Sequence, residues 1–268
     1  MNDPAGELME QAWSSFEEVC SHLEAREWAL PTDCPGWDVK DQLAHVCALE
    51  ALALGRPAAP DTTIDAPHVK NDLGQINERE LEARRTTSPE RLLYEYRDVT
   101  GERSKVLASW TAEEWDQEGQ GVLGTAQRRR IIGIRIVDVF THEQDIRVAT
   151  GKPGHMNGDV ARFVYKNFAD AAGFVLAKRA QATEGQTVVF EVGPPGATFA
   201  YGMKDGRGVS LDPLPSDPTV RVSMDAETFL RLATGRWSVD RVEQEGRVGI
   251  VGDLDLGRRI LAGLNVTP

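Results

Sequence analysis

An aspartate and a histidine four positions apart, Asp138 and His142 in the segment DVFTHEQDIR, can meet on one face if that segment is helical. The pair then has two outcomes. It neutralises itself as an ion pair, or it joins a third donor and holds a divalent cation. On an ideal helix with Ile131 at zero, His142 falls at roughly 20°, Asp138 at roughly 340°, Asp145 at roughly 320° and Arg135 at roughly 40°. Ile131, Ile134 and Ala149 share that face, so the polar groups interrupt an apolar stripe. Ile132, Ile136, Val137, Val139 and Phe140 are spread around the rest of the helix, which predicts burial on several sides. A carboxylate on such a stripe must pair or coordinate, because burying it unsatisfied costs on the order of several kcal/mol.

A third donor has to come from elsewhere in the chain, which has 5 histidines in all. His22, His68 and His155 sit beside polar or loop residues and read as structural or solvent-facing. His45 lies in the middle of an apolar helical run, flanked by Leu43, Ala44, Val46 and Leu49. It is either a core histidine bonded to a carbonyl or a ligand. Two inward imidazoles and one carboxylate on facing helices would leave a coordination position open, as catalytic rather than structural zinc requires. Asp145 is either the group that orients a ligand imidazole or the partner of Arg135 or Arg147 in an ion pair. Trp37 reads as packing at a loop-to-helix junction. Cys20, Cys34 and Cys47 are odd in number and form no CxxC pair, so neither a disulfide framework nor a thiolate zinc site is expected; they read as buried or partly buried thiols in a reducing cytoplasm.

These residues need elements to position them. Leu8, Ala12, Phe16, Val19, Cys20 and Leu23 recur at helical spacing. In LPTDCPGWDVKDQLAHV, Pro31, Pro35 and Gly36 disfavour helix, while Asp38 and Asp41 have the spacing of a capping box. A second helix is therefore predicted from about Asp38 to Leu54, with Gly55 as its stop. Residues 55 to 68 read as a loop, followed by helices around LGQINERELEARR and from Ser88 through Trp110. The fourth bundle helix is RIIGIRIVDVFTHEQDIRVAT, closed by Gly151. Beyond Pro153 and Gly154 comes a further helix, DVARFVYKNFADAAGFVLAKRA. TVVFEVG, TFAYGM and TVRVSM then have strand composition, and DAETFLRLATGR and GDLDLGRRILAGL read as helices capped by aspartate. The expected organisation is a mainly α, four-helix bundle over 1–152 followed by a small α+β domain over 153–268.

A length of 268 residues suits two modest domains, and 41% hydrophobic with 27% charged residues argues against disorder. The net charge of -12 disfavours nucleic acid and anionic membranes as partners; the one basic run, Arg128-Arg129-Arg130, reads as a solvated face. No apolar run reaches membrane-spanning length, and the start has no signal-peptide pattern.

The segments TDCPGWDVKDQLAHV, NERELEARR, DVFTHEQDIRVATGKPG, LATGR and GDLDLGRRIL, in this order, resemble the mycothiol-dependent maleylpyruvate isomerase family. That family is a branch of the DinB-like metal-binding four-helix bundles with an added C-terminal α+β domain of sterol-carrier-like character. The resemblance implies zinc held by a histidine on the second helix and a Glu-x-x-x-His pair on the last bundle helix. These positions fall on His45, Asp138 and His142, with Asp138 shorter than the family's glutamate by one methylene. It also implies an activity-linked arginine in the C-terminal domain, matched here by Arg236; the alternative is a helix-end cation satisfying carbonyls. The thiol implied is mycothiol, the sugar-linked cysteine thiol of actinobacteria. Its thiolate would attack a small electrophile to give an S-conjugate or a cis-trans isomerisation. Two other functions remain open: a non-catalytic metal-containing carrier that binds a ligand in its α+β domain, and hydrolysis by metal-bound water.

Overall fold

The computed structural model describes residues 3–122 and 124–267. The chain divides into two compact units, Met1–His155 and Met156–Pro268.

In chain order the first unit contains α1 (Pro4–Ser21), α2 (Val39–Ala53), α3 (Asp72–Glu82), α4 (Pro89–Ser109), α5 (Ala112–Asp116), the strands β1 (Glu118–Gly121) and β2 (Gly124–Gln127), and α6 (Arg128–Thr150). The four long helices make the bundle: α1 packs on α4 and α6, and α2 packs on α3, α4 and α6. Capping starts three of them. Asp3 accepts from the Ala5 amide at 2.9 Å, and Ser88 caps α4 through the Arg91 amide. At α2 the Asp38 and Asp41 side chains each accept from the other's backbone N–H, so the D-x-x-D spacing does form a capping box. Gly151 ends α6 in the left-handed region at φ 65°, which glycine adopts without strain.

The core is filled by Met9, Phe16, Leu43, Leu92, Ile132 and Ile136 among others, each nearly inaccessible to solvent. Each such side chain contributes about 1.5–3 kcal/mol of transfer free energy. Phe16 stacks on Tyr96 at 5.5 Å, whose hydroxyl donates to the Trp13 carbonyl at 2.7 Å. Twelve of the fifteen residues of α2 are buried. Its polar side chains therefore need protein partners, and this requirement builds the site described below.

Two features of this unit depart from the sequence expectation. The segment after Trp110 forms the short α5, capped by Thr111 and Glu114, and the β1–β2 hairpin. The basic run at the start of α6 is also not simply solvated. Arg128 lies over the Trp110 ring at 4.7 Å, and Arg129 pairs with Asp3 and Asp116.

The second unit carries α7 (Asp159–Asp170), α8 (Ala172–Phe174) running into a π-helical turn (Val175–Arg179), β3 (Thr187–Val192), β4 (Thr198–Lys204), β5 (Arg207–Ser210), β6 (Val220–Met224), α9 (Ala226–Ala233), α10 (Val239–Gln244), β7 (Val248–Gly252) and α11 (Leu254–Gly263). The sheet order is β5-β4-β3-β6-β7. All its pairs are antiparallel except β3 with β6. Where one helix is predicted from Asp159 to Ala180, the structure has three pieces. β5 packs against α8 so closely that a Cβ on Gly208 would overlap the Gly173 backbone. β5 and β7, rich in glycine and half-buried, lack the alternating apolar pattern that marks the other three strands.

Candidate metal centre

The site begins at the turn Cys34-Pro35-Gly36-Trp37. The Trp37 amide donates to the Cys34 carbonyl at 3.1 Å, and Gly36 sits at φ 82°. Proline followed by a positive-φ glycine is the composition of a type II turn. Added bulk at Gly36 would also strike the His68 ring. Thr32 locks the turn by accepting from the Cys34 amide at 3.2 Å and donating to the Trp37 carbonyl at 2.9 Å. Asp38 then starts α2, and His45 follows two helical turns later on a side chain that is only 3% exposed.

From the facing helix α6 come Asp138 and His142. One donor atom each from His45, Asp138 and His142 lies within 4.8 Å of the other two. His45 Nε2 is 3.3 Å from Asp138 Oδ2, and His142 Nε2 is 3.6 Å from Asp138 Oδ1. The two imidazoles meet edge to face at 4.6 Å. The Asp138 side chain is 29% exposed against 7% for His142, so the cluster opens toward solvent on its carboxylate side. Asp138, although one methylene shorter than glutamate, still reaches both rings.

Arginine shapes this carboxylate. Arg135 Nη1 donates to Asp138 Oδ2 at 2.6 Å, while its Nε and Nη2 clamp Glu50 Oε1 at 3.1 and 2.9 Å. Arg103 Nε completes the network on Glu50 Oε2 at 3.2 Å. Burial alone would push the Asp138 carboxyl up; the Arg135 charge, His45 and His142 outweigh it and hold the carboxyl well below its usual range. Burial also drives the His45 imidazole down to about 4, against the lesser opposing pull of Asp138. At neutral pH the carboxylate is thus ionised and His45 neutral, the protonation states a cation needs in its ligands. His45 Nδ1 is buried without a hydrogen-bond partner. Two imidazoles and one carboxylate suit a borderline divalent cation such as zinc. The donor set fits the group.

These shifts give a pH expectation for the metal-free protein. His45 in the unfolded chain takes up its proton near 6.5, whereas folded His45 waits until about 4. The unfolded state binds more protons between these values. Stability is therefore complete above pH ~6.5 and falls as pH drops toward ~4, by up to about 3 kcal/mol at about 1.4 kcal/mol per unit. Urea denaturation across this range checks it, and a flat profile would show that folded His45 protonates freely. The depressed Asp138 adds stability that is lost only at lower pH still.

Several residues around the triad carry no obvious sequence signal. Gln42 Oε1 accepts from His142 Nδ1 at 2.5 Å, and Gln42 Nε2 is itself anchored on Thr32 Oγ1 at 2.9 Å. This bond leaves His142 Nε2 as the lone-pair nitrogen facing Asp138. Gln42→Leu is expected to weaken cation affinity by about 10–100-fold, the usual cost of losing a group that orients a ligand histidine. Competition titration with a chromophoric chelator reads it. An unchanged affinity would deny Gln42 that role.

Trp37, expected to serve only as junction packing, lies against both imidazoles, 4.9 Å from His45 and 5.5 Å from His142 between ring centroids. Its Nε1 donates to Glu78 Oε1 at 2.6 Å, where His68 Nε2 also bonds at 2.8 Å. Asp145 Oδ2 faces His142 Nδ1 at 3.6 Å, while Arg135 engages Glu50 and Asp138 and Arg147 engages Glu143. Asp145 thus stands beside the His142 imidazole. His22 bonds the Glu18 carbonyl and His155 contacts Ser15, Glu18 and Glu143, both away from the triad. Cys34 is half-buried and Cys20 and Cys47 are buried, none of the three in a disulfide. Arg236 lies in the second unit just beyond α9 and donates to the Thr234 carbonyl at 3.0 Å. Among the described residues no helix is long and apolar enough to cross a membrane.

Comparison with known proteins adds the following. The family described as "Mycothiol maleylpyruvate isomerase N-terminal domain" matches residues 9–147, and the "SCP-2 sterol transfer family" matches residues 170–262. An uncharacterized protein of Mycobacterium tuberculosis, found in two strains, is 23% identical over 231 residues, covering 85% of this chain and 83% of its own. The crystal structure of a mycothiol-dependent maleylpyruvate isomerase superposes with a TM-score of 0.55 at 18% identity, covering 87% of this chain and 88% of the other. A histidine-to-alanine mutant of that isomerase gives 0.56 at 17% identity over 92% and 91%. At such identity the superpositions establish the shared fold.

Proposed function

The chain belongs to the mycothiol maleylpyruvate isomerase N-terminal domain family, and from that premise we propose that it is a thiol-dependent isomerase or transferase acting on a small electrophile, with mycothiol as the thiol. The observation that carries this reading is the convergence of His45, Asp138 and His142 within 4.8 Å, with an open side at the carboxylate. A zinc ion or similar divalent cation bound there would supply the positive charge that holds a low-molecular-weight thiol as its nucleophilic thiolate at neutral pH.

The chain's own residues do the rest. Arg135 occupies Asp138 Oδ2 and leaves Oδ1 for a cation. Its guanidinium also offsets the carboxylate's charge, so that less of a cation's charge is neutralised by the protein. Gln42 fixes the His142 tautomer, and Trp37 walls off the two rings from water. A thiolate that adds to an activated carbon–carbon double bond leaves a single bond about which the adduct turns. Expulsion of the thiolate then completes a cis-trans isomerisation, and retention gives an S-conjugate. Arg236 is assigned a part in activity on the family resemblance. Dependence on a reduced thiol supports a cytoplasmic location.

The sterol-transfer family match over residues 170–262 favours a second reading, in which the second unit binds an apolar ligand and the bundle performs no chemistry. One experiment separates them. Purified protein is incubated with mycothiol and a panel of electrophiles that includes maleylpyruvate, with and without a chelator. The enzyme reading expects thiol-dependent turnover that the chelator abolishes. Turnover without added thiol would instead indicate hydrolysis, and ligand binding without any turnover would indicate a carrier.

A further inference from the structure

His142 has two edges, and the triad uses only one. On the Nδ1 edge stands a second cluster: one donor atom each from Cys34, His142 and Asp145 lies within 4.8 Å of the other two. We propose that the Nδ1 edge is a second, thiolate-bearing cation site, formed by Cys34, Asp145 and His142 and selective for thiophilic divalent ions such as cadmium, cobalt or zinc.

The donor set differs in kind from that of the triad. A thiolate and a carboxylate neutralise a dication completely, which matters where the Asp145 side chain is wholly inaccessible to solvent and an uncompensated charge is costly. Sulfur raises preference for soft and borderline metals over magnesium or calcium. In the triad, Asp138 shares its charge with Arg135 at 2.6 Å.

The positions are built rather than incidental. Cys34 is the first residue of the type II turn that Thr32 and Gly36 lock, and Asp145 is fixed on α6 three residues from His142. Gln42 Oε1, 2.5 Å from Nδ1, is a further oxygen on the same edge. On binding, the Cys34 thiol releases its proton to solvent, and His142 Nδ1 gives up its proton to Nε2 or, when the other site is filled, to solvent, leaving a bridging imidazolate. With Nε2 turned to the other triad, His142 would bridge the two sites.

Cobalt(II) titration of the metal-free full-length protein tests this, since cobalt–thiolate bonds give a near-ultraviolet charge-transfer absorption that nitrogen and oxygen ligands do not. Wild-type protein is expected to develop the band and to take up about two equivalents, two tridentate sites being present. Cys34→Ser, with unchanged far-ultraviolet circular dichroism, should lose the band and keep one equivalent. His45→Ala, which touches only the Nε2 triad, should keep the band and lose one equivalent. The proposal is overturned if the wild type shows no band, if the band survives in Cys34→Ser, or if His45→Ala and Cys34→Ser each remove all binding, which would mean a single site. Loss of the band in Cys34→Ser with thiol-dependent turnover retained would leave the proposed function standing, so the two can fail separately.

Discussion

Replacing His142 with alanine is expected to remove cation binding and, with it, thiol-dependent turnover. Among the described residues the imidazole is the only group that belongs to both donor clusters, with Nε2 at 3.6 Å from Asp138 and Nδ1 at 3.6 Å from Asp145. Without it the Nε2 cluster has two protein donors, too few for a stable three-ligand site. Loss of a group that only orients a ligand costs about 10–100-fold in affinity; loss of the ligand itself should exceed about 100-fold. Metal content after dialysis and thiol-transfer rate, measured on the same preparation, should fall together. His22→Ala is the matched comparison, because the exposed His22 side chain bonds the Glu18 carbonyl away from the triad, and it should leave both values unchanged. If His142→Ala retained metal and turnover, the chemistry would lie elsewhere.

The second large effect concerns stability. Glu50 is fully buried and holds two guanidiniums, Arg135 and Arg103, whose side chains are each 6% exposed. Glu50→Ala removes the carboxylate that both share and leaves Arg135 paired with Asp138. Breaking a buried pair by removing one partner typically costs about 3–5 kcal/mol, and the same change frees Arg135 from its clamp beside Asp138. Urea denaturation should show a loss in this range for Glu50→Ala, with a weaker cation affinity in whatever remains folded. Glu50→Gln keeps the shape and two acceptor lone pairs, so its loss should be smaller. A cost below about 1 kcal/mol, the scale of an exposed ion pair, would mean that the guanidiniums find water.

Much of this was legible in the sequence, for reasons that can be named. Helical periodicity and caps locate α1, α2, α4 and α6, because each start and stop depends on local side-chain chemistry: Asp38 with Asp41, Ser88, Gly151. The i, i+4 spacing of Asp138 and His142 places them on one face, and the apolar flanks of His45 mark it as inward. What the sequence conceals are partners chosen by the bundle's packing. Arg103 lies 53 residues from Glu50 and Arg135 lies 85 from it, distances no local pattern spans. Yet Gln42 and Glu50 stand as polar residues inside the apolar run of α2, and burial there demands partners; that was the available signal. Nothing in CPGW says which way the Trp37 indole turns. A single thiol without a CxxC partner carries no metal signature, and only the fold brings His142 and Asp145 beside Cys34. The β1–β2 hairpin and strands β5 and β7 escaped because their glycines interrupt alternation.

The central claim is that helices α2 and α6 meet so that His45, Asp138 and His142 share one cation. Anomalous diffraction from crystals grown with zinc tests it most directly. The expected map has a peak about 2.0–2.2 Å from an imidazole nitrogen of His45, from His142 Nε2 and from an Asp138 oxygen, the distances zinc requires. A map with well-ordered side chains and no peak between these three groups would contradict it.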